Sequence, residues 1–295
     1  MTSKLTGIFA PITTPFVNED ISLEHLKSNM RKYKETELAG FFALGSNGES
    51  KSLTEDEKLK ILDVILQEKG DHQLVMAGTG YESTRQTLAF SQKAAALGVD
   101  FVSVVTPSYF KKRLTDEAMV GYYTDVADAL SIPVLAYNAP GFTGMTLSAN
   151  VIETLARHPN IAGMKDTSTG NMSSYLNVCG ADFDILAGTV STLFESMLLG
   201  AKGGVVSLAD AIPRPCCELY NLLKSGHLEA ARQLHYRLFN LNRSVSGSFG
   251  VAGVKYAMDV AGYHGGNPRL PLLPLTREGQ QSIKDAISKA GFIEV

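Results

Sequence analysis

Apolar positions cluster into eight short runs rich in β-branched residues: "GIFAPIT" at 7–13, "GFFALG" at 40–45, "LVMAGTG" at 74–80, "FVSVVTP" at 101–107, "PVLAYNA" at 133–139, "IAGMKD" at 161–166, "DILAGT" at 184–189 and "GGVVSL" at 203–208. Brief apolar runs bounded by Gly and Pro are the signature of strands buried on both faces. Between them the pattern switches to helical spacing with start and stop signals. Thr54 with Glu57 three residues on forms a capping-box pattern ahead of "KLKILDVILQEKG", which Gly70 stops, and Ser83 opens a segment that ends at Gly98. Strict alternation of strands and helices predicts a parallel sheet covered by helices. Eight units predict closure into a (β/α)8 TIM barrel, with an open doubly wound sheet as the other architecture.

The eighth unit finishes with a helix after Pro213, so the catalytic barrel is expected over 1–225 and a C-terminal helical region over 226–295. The latter reads as three helices, around "HLEAARQLHYRLFNLN", "GVAGVKYAMDVAGY" and "TREGQQSIKDAISKAG". A barrel does not need them, and their apolar faces must be covered by the barrel or by a neighbouring subunit.

Composition narrows the function class. The chain has 295 residues, 44% hydrophobic and 19% charged, enough for a large core. Its 27 basic and 30 acidic residues nearly cancel without long single-sign blocks, which leaves no electrostatic footprint for nucleic acid or an anionic membrane. Small molecules are the expected partners. Three cysteines, Cys179 and the adjacent Cys216 and Cys217, make no spaced disulfide framework, which fits a reducing compartment, either a cytoplasmic location or an organelle matrix. Cys216 and Cys217 read as packing residues. The longest charge-free run, 129–152, is broken by Pro133, Pro140, Gly141 and Gly144, so no membrane-spanning helix is expected.

In such barrels the chemistry sits at the C-terminal ends of the strands. Residues expected there include Thr13, Thr14, Ser46, Asn47, Glu49, Thr106, Tyr109, Tyr137, Asn138, Lys165, Asp166, Thr167, Gly188, Ser207 and Asp210. Six scattered histidines and no His/Cys/Asp cluster at ligand spacing point away from a catalytic metal or a Ser–His–Asp triad. "GTGYES" at 78–83 lacks the third glycine of a dinucleotide loop, so no cofactor is indicated.

Lys165 stands out because an ammonium there follows an apolar strand directly, where the barrel is narrow. Burial disfavours the charged form and moves a lysine towards the free amine, a nucleophile that condenses with 2-keto acids. Taken alone, Lys165 also reads as a strand-end lysine paired with Asp166. Tyr137 ends the preceding strand, and adjacent strands lie about 4.8 Å apart, so a phenol is expected beside the amine in general acid/base position. "GSNGES" at 45–50 supplies Gly45 and Gly48, which let backbone amides and the Ser46 hydroxyl converge on a carboxylate, although the stretch also suits an ordinary βα turn.

Together "GSNGES", "TPSYF", "YNAPGFTG" and "MKDTS" resemble the pyruvate-dependent class I aldolase family, which includes dihydrodipicolinate synthase, N-acetylneuraminate lyase and 4-hydroxy-2-oxoglutarate aldolase. The resemblance runs from "GIFAPITTPF" to "PLLPLTREGQ". It implies a Schiff base between Lys165 and pyruvate or a substrate keto group. It also implies proton transfer by Tyr137, carboxylate binding by Ser46 and Asn47, and a Tyr109 that reaches into the site of a partner subunit in a tetramer of two dimers. Dihydrodipicolinate synthases usually carry YNxPxRTG, whose arginine binds the carboxylate of aspartate semialdehyde, whereas Phe142 stands at that place here. That departure, with "GSNGE" and "FGVAGVKYAMDVAGYHGG", points to the 4-hydroxy-2-oxoglutarate aldolase branch, with the synthase as the alternative and sugar-acid aldolases behind both. Thr167 and Asn47 are then expected at the substrate's 4-hydroxyl and distal end, with Gly188 and Ser207 lining the same site.

Overall fold

A computed structural model describes residues 5–293. All eight apolar runs form parallel strands: β1 Gly7–Ala10, β2 Gly40–Ala43, β3 Leu74–Gly78, β4 Phe101–Val105, β5 Val134–Asn138, β6 Ile161–Asp166, β7 Asp184–Ala187 and β8 Gly203–Val205. They pair in sequence order, and β8 pairs with β1, so the barrel closes and the doubly wound alternative is ruled out. Strand β1 stops at Ala10, short of the predicted Thr13, because Pro11 has no N–H to extend the ladder.

The helices begin where the capping signals place them. Helix α2, Glu55–Glu68, has the full capping box between Thr54 and Glu57, and α3, Thr84–Leu97, starts at Ser83 and ends on Gly98 in the left-handed conformation. Helices α1 Leu23–Lys34, α4 Asp116–Asp128, α5 Ala149–Leu155, α6 Met172–Val178, α7 Val190–Leu199 and α8 Pro213–Lys224 complete the outer ring.

Strand alternation divides the core into two layers. Phe9, Phe42, Met76, Phe101, Leu135, Tyr137, Leu186 and Val205 fill the barrel interior, while intervening residues such as Val134, Ala136, Met164 and Ile185 pack outward against the helices. Lys165 follows Met164 on β6 and therefore turns inward beside Tyr137.

The three predicted C-terminal helices are α9 Leu228–Asn242, α10 Ser248–Val260 and α11 Arg277–Ala290. Helix α9 packs on α7 and α8 of the same chain, which covers its apolar face without a neighbour. Two irregularities went unpredicted: a π-helical turn over Arg243–Gly247, and a break at Gly250 (φ 56°, ψ −141°) inside α10. Both contribute to the wall of the cavity at the barrel mouth, through Ser246 and Gly250. Among the described residues no helix is long and apolar enough to cross a membrane.

Candidate active site

Lys165 lies on the floor of a cavity of about 760 Å³ at the C-terminal ends of the strands. It is 5% exposed, and its Nζ sits 4.4 Å from the ring centroids of both Phe42 and Tyr137. Two aromatic faces attract a cation, but they also exclude the water that would solvate it. Burial wins: it pulls the Lys165 ammonium down to about 7, opposed by the charge of Asp210. At neutral pH a large share of this lysine is the free amine.

The pairing of Lys165 with Asp166 does not form. Successive strand residues point to opposite faces, so Asp166 turns away from the barrel interior. Its carboxylate accepts from Asn138 Nδ2 (2.8 Å), Ser168 N (3.0 Å) and Ser168 Oγ (2.9 Å). Asn138 Oδ1 in turn accepts from Leu147 N at 3.0 Å. Asn138 and Asp166 thus knit the loops behind the strand ends and leave the amine without a contact carboxylate on its own strand.

Tyr137 is in direct register with Lys165. Its hydroxyl lies 3.4 Å from Ser46 Oγ, and burial raises its pKa, with the Ser46 contact acting the other way. The phenol is therefore held protonated beside the amine, able to donate a proton to an oxygen forming there and to take it back.

Ser46 and Asn47 line the cavity from the β2–α2 loop, bracketed by Leu44 (φ 58°) and Glu49 (φ 53°), two non-glycine residues in the left-handed region. Such residues cost roughly 1–2 kcal/mol each and persist only where surrounding contacts impose them. Thr167, Gly188 and Ser207 also line the cavity. Thr167 Oγ1 donates to Asn138 O at 3.0 Å, and a Cβ on Gly188 would come within 2.2 Å of Thr167 Cγ2, so only glycine leaves that space open.

Tyr109 behaves differently from the rest. It is 81% exposed, packs edge-on against Phe110 and does not line the cavity of its own chain, while its backbone N–H donates to Glu82 Oε2 at 3.0 Å. Phe142 lines the cavity from its rim and is 71% exposed. Among the described residues no arginine lines the cavity; Lys51 and Lys165 are its cations and Glu49 its acid. No group of three or more His, Cys, Asp or Glu side chains among the described residues is arranged to hold a metal ion. Cys216 and Cys217 are buried free thiols raised by burial, Cys217 up to about 12, which suits packing.

Two groups of residues join the site to which sequence reading gave no role there. Asp210, on the turn after β8, is fully buried, accepts from Asn47 Nδ2 at 3.4 Å and has its Oδ1 unpartnered. Burial drives its carboxyl up to about 8, opposed by the Asn47 hydrogen bond and the Lys165 charge. The others are apolar: Phe42 beneath the amine, and Phe249, Val251, Leu272 and Leu273 from the C-terminal region around the mouth. Strand alternation in "GFFALG" was the available signal for Phe42; nothing local marks the C-terminal group.

Comparison with known proteins agrees with this geometry. The chain is 32% identical over 289 residues to a 4-hydroxy-tetrahydrodipicolinate synthase of Methanospirillum hungatei, covering 96% of this chain and 98% of the relative. It is 33% identical over 286 residues to the synthase of that name from Geobacter sulfurreducens, covering 96% and 97%. Among solved structures, the dihydrodipicolinate synthase of Thermotoga maritima superposes with a TM-score of 0.93 at 26% identity, covering 98% of this chain and 99% of that one. A prophage protein of the dihydrodipicolinic acid synthase family from Escherichia coli K12, solved in complex with pyruvate, gives 0.92 at 25% identity, covering 98% and 99%. These names back the synthase alternative better than the 4-hydroxy-2-oxoglutarate aldolase branch. Residues 4–290 match the Dihydrodipicolinate synthetase family, and the chain belongs to that family of pyruvate-dependent, Schiff-base-forming class I aldolases and synthases.

Proposed function

We propose that the protein makes or breaks a C–C bond at the carbon adjacent to the keto group of a pyruvate-derived 2-keto acid, with Lys165 as the covalent nucleophile and no metal or organic cofactor. One observation carries this reading: an amine 5% exposed, wedged between Phe42 and Tyr137 and shifted by burial to about 7. Lys165 attacks the C2 carbonyl, and Tyr137 gives a proton to the carbinolamine oxygen as it leaves as water. The resulting iminium draws electrons from the adjacent carbon. In cleavage, the C3–C4 bond breaks as a base takes the 4-hydroxyl proton; an aldehyde departs, the enamine takes a proton at C3, and water releases pyruvate. Condensation is the reverse. Ser46 and Asn47 hold the keto-acid carboxylate, Thr167 contacts the hydroxyl on C4, and Gly188 and Ser207 shape the wall beside them. Borohydride reduction in the presence of pyruvate should attach a stable three-carbon adduct to the peptide carrying Lys165; a folded protein left unmodified there refutes the reading.

The second reactant divides two readings. The shared name of the curated relatives favours condensation of pyruvate with aspartate semialdehyde, the 4-hydroxy-tetrahydrodipicolinate synthase reaction. Phe142 weakens that reading, since among the described residues no guanidinium lines the cavity to grip the semialdehyde's carboxylate, and the likeness of "GSNGE" and "FGVAGVKYAMDVAGYHGG" to the 4-hydroxy-2-oxoglutarate aldolase branch favours cleavage to pyruvate and glyoxylate. Initial rates with each substrate pair decide between them. Tyr109, exposed on its own subunit, is assigned to the site of a partner in a homotetramer, a state that sedimentation measures directly. The near-neutral charge balance and unpaired cysteines support a cytoplasmic protein.

A further inference from the structure

Glu49 lines the cavity that receives an anionic substrate, yet its carboxylate is almost completely buried and faces away from water. Its Oε1 lies 2.6 Å from Lys255 Nζ, with side-chain exposures of 1% and 0%. The approach is a charge contact without aligned hydrogen-bond geometry at Oε1. Oε2 accepts from Arg269 N at 2.9 Å. Lys255 Nζ also donates to Asn267 O at 2.9 Å, and both Lys255 and Arg269 sit 4.4 Å above the ring of Phe16. The Arg269 guanidinium reaches back to the same loop and the helix that follows it, donating to Ser52 O at 2.8 Å and, on α2, to Glu57 at 2.7 and 2.9 Å.

This network joins two parts of the chain that a barrel has no need to connect. Glu49 belongs to the loop after β2; Lys255 and Arg269 belong to the C-terminal region. A buried ion pair is weak as a source of stability, because desolvating both charges offsets most of their attraction; its best-attested use is to fix one geometry among several. The geometry fixed here is strained, with Leu44 and Glu49 both in the left-handed region, so the loop needs an external hold. Thr14 Oγ1 supplies another, donating to Gly48 O at 2.8 Å. Lys255 has a second effect: it neutralises an acid that would otherwise repel a keto-acid carboxylate held by Ser46 and Asn47.

We infer that Glu49 and Lys255 are positioning residues that make the site select keto acids over neutral ketones, with the C-terminal helical region supplying the cation. The inference rests on the Schiff-base reading above and adds that selection for the carboxylate depends on a contact outside the reacting atoms. It predicts a loss of selectivity rather than a general loss of imine chemistry.

The test compares cyanoborohydride inactivation by pyruvate and by acetone, which forms the same imine but has no carboxylate. In Lys255→Met, the preference for pyruvate should fall at least tenfold, while the acetone rate changes less than threefold. The paired variant Glu49→Leu with Lys255→Met replaces both charges by apolar groups and guards against misfolding of the single variant. It should keep or raise the melting temperature and still lose the preference. Parallel loss with both ketones, or an unchanged preference in the folded double variant, overturns the inference. A wild-type protein that neither ketone traps would instead refute the Schiff-base reading.

Discussion

Tyr137 and Lys165 are paired in register on neighbouring strands, and the lysine nitrogen lies 4.4 Å from the centre of the phenol ring. The phenol therefore does two jobs. Its ring helps to desolvate the amine, and its hydroxyl, 3.4 Å from Ser46 Oγ, can exchange protons with the adduct. Tyr137→Phe keeps the first and deletes the second. Because that hydroxyl is assigned to the loss of water that forms the imine, trapping of pyruvate on Lys165 and turnover should both slow, by about 10²–10⁴, the usual range for loss of a general acid/base. Single-turnover trapping set against steady-state kcat checks this; trapping at the wild-type rate with turnover lost would mean that the hydroxyl acts only after the imine has formed.

Asp210 modulates the pH at which the amine becomes available. Burial lowers the Lys165 pKa to about 7, and Asp210, whose own carboxyl is raised by burial to about 8, opposes that fall only to the extent that it is ionised. With the free amine as the proposed nucleophile, trapping by pyruvate should accelerate as pH rises through about 7 and then level off. Asp210→Asn keeps the size of the side chain and an oxygen for Asn47 but cannot ionise, so the part of the opposition that comes from the ionised fraction disappears and the midpoint should move to lower pH. A midpoint that stays put or rises would separate Asp210 from the chemistry.

The same burial bears on stability. Unfolding returns Lys165 to water and to its ordinary pKa of 10.5, so the unfolded chain binds the proton more tightly than the native one. By linkage, the native state is penalised fully below about 7, progressively less as pH rises towards 10.5, and not at all above it. Lys165→Met fills the space without a charge. It should abolish turnover and raise the unfolding free energy at pH 7 by about 2 kcal/mol, as expected where an active site is held in a destabilised state. Denaturant titrations at pH 7 and pH 10 check both the gain and its decline; a gain that does not shrink at pH 10 would have another origin.

Residues whose role depends on local pattern were legible in the sequence. The eight apolar runs, the Thr54/Glu57 cap and the Gly98 stop each rest on neighbours within a few positions, and each appears where the pattern put it. Lys165 and Tyr137 were legible because strand alternation and barrel order bring two strand ends together without further information. Asp210 was visible as a strand-end acid but not as a partner of Lys165, since its influence acts across the barrel interior from β8 to β6. Phe249, Val251, Leu272 and Leu273 were illegible for a stronger reason. They reach the cavity only through the packing of the C-terminal region, helped by a π-helical turn and a break at Gly250 that no periodicity foretells. The Lys165–Asp166 pairing failed on a local rule that was available, because adjacent strand residues point to opposite faces.

Phe142 is the position where geometry and family likeness pull apart, and a substitution there tests how much of the specificity one side chain carries. The residue lines the cavity rim and is 71% exposed, so an arginine there can be solvated and needs no rearrangement of the core. A guanidinium can form the forked, charge-assisted pair with a carboxylate that a phenyl ring cannot, a gain of roughly 1.5–3 kcal/mol or about ten- to a hundredfold in binding. Phe142→Arg should therefore raise kcat/KM for aldehydes with a distal carboxylate by about tenfold or more. Melting temperature and pyruvate trapping should hardly change, since neither Lys165 nor its neighbours on the cavity floor are touched. Assays with aspartate semialdehyde, glyoxylate and a neutral aldehyde of similar length resolve where the added charge acts. A uniform gain across all three, the neutral aldehyde included, would mean that the substitution acts through the shape of the rim and not through a carboxylate, and no gain would mean that the acceptor's far end lies against a different wall of the cavity.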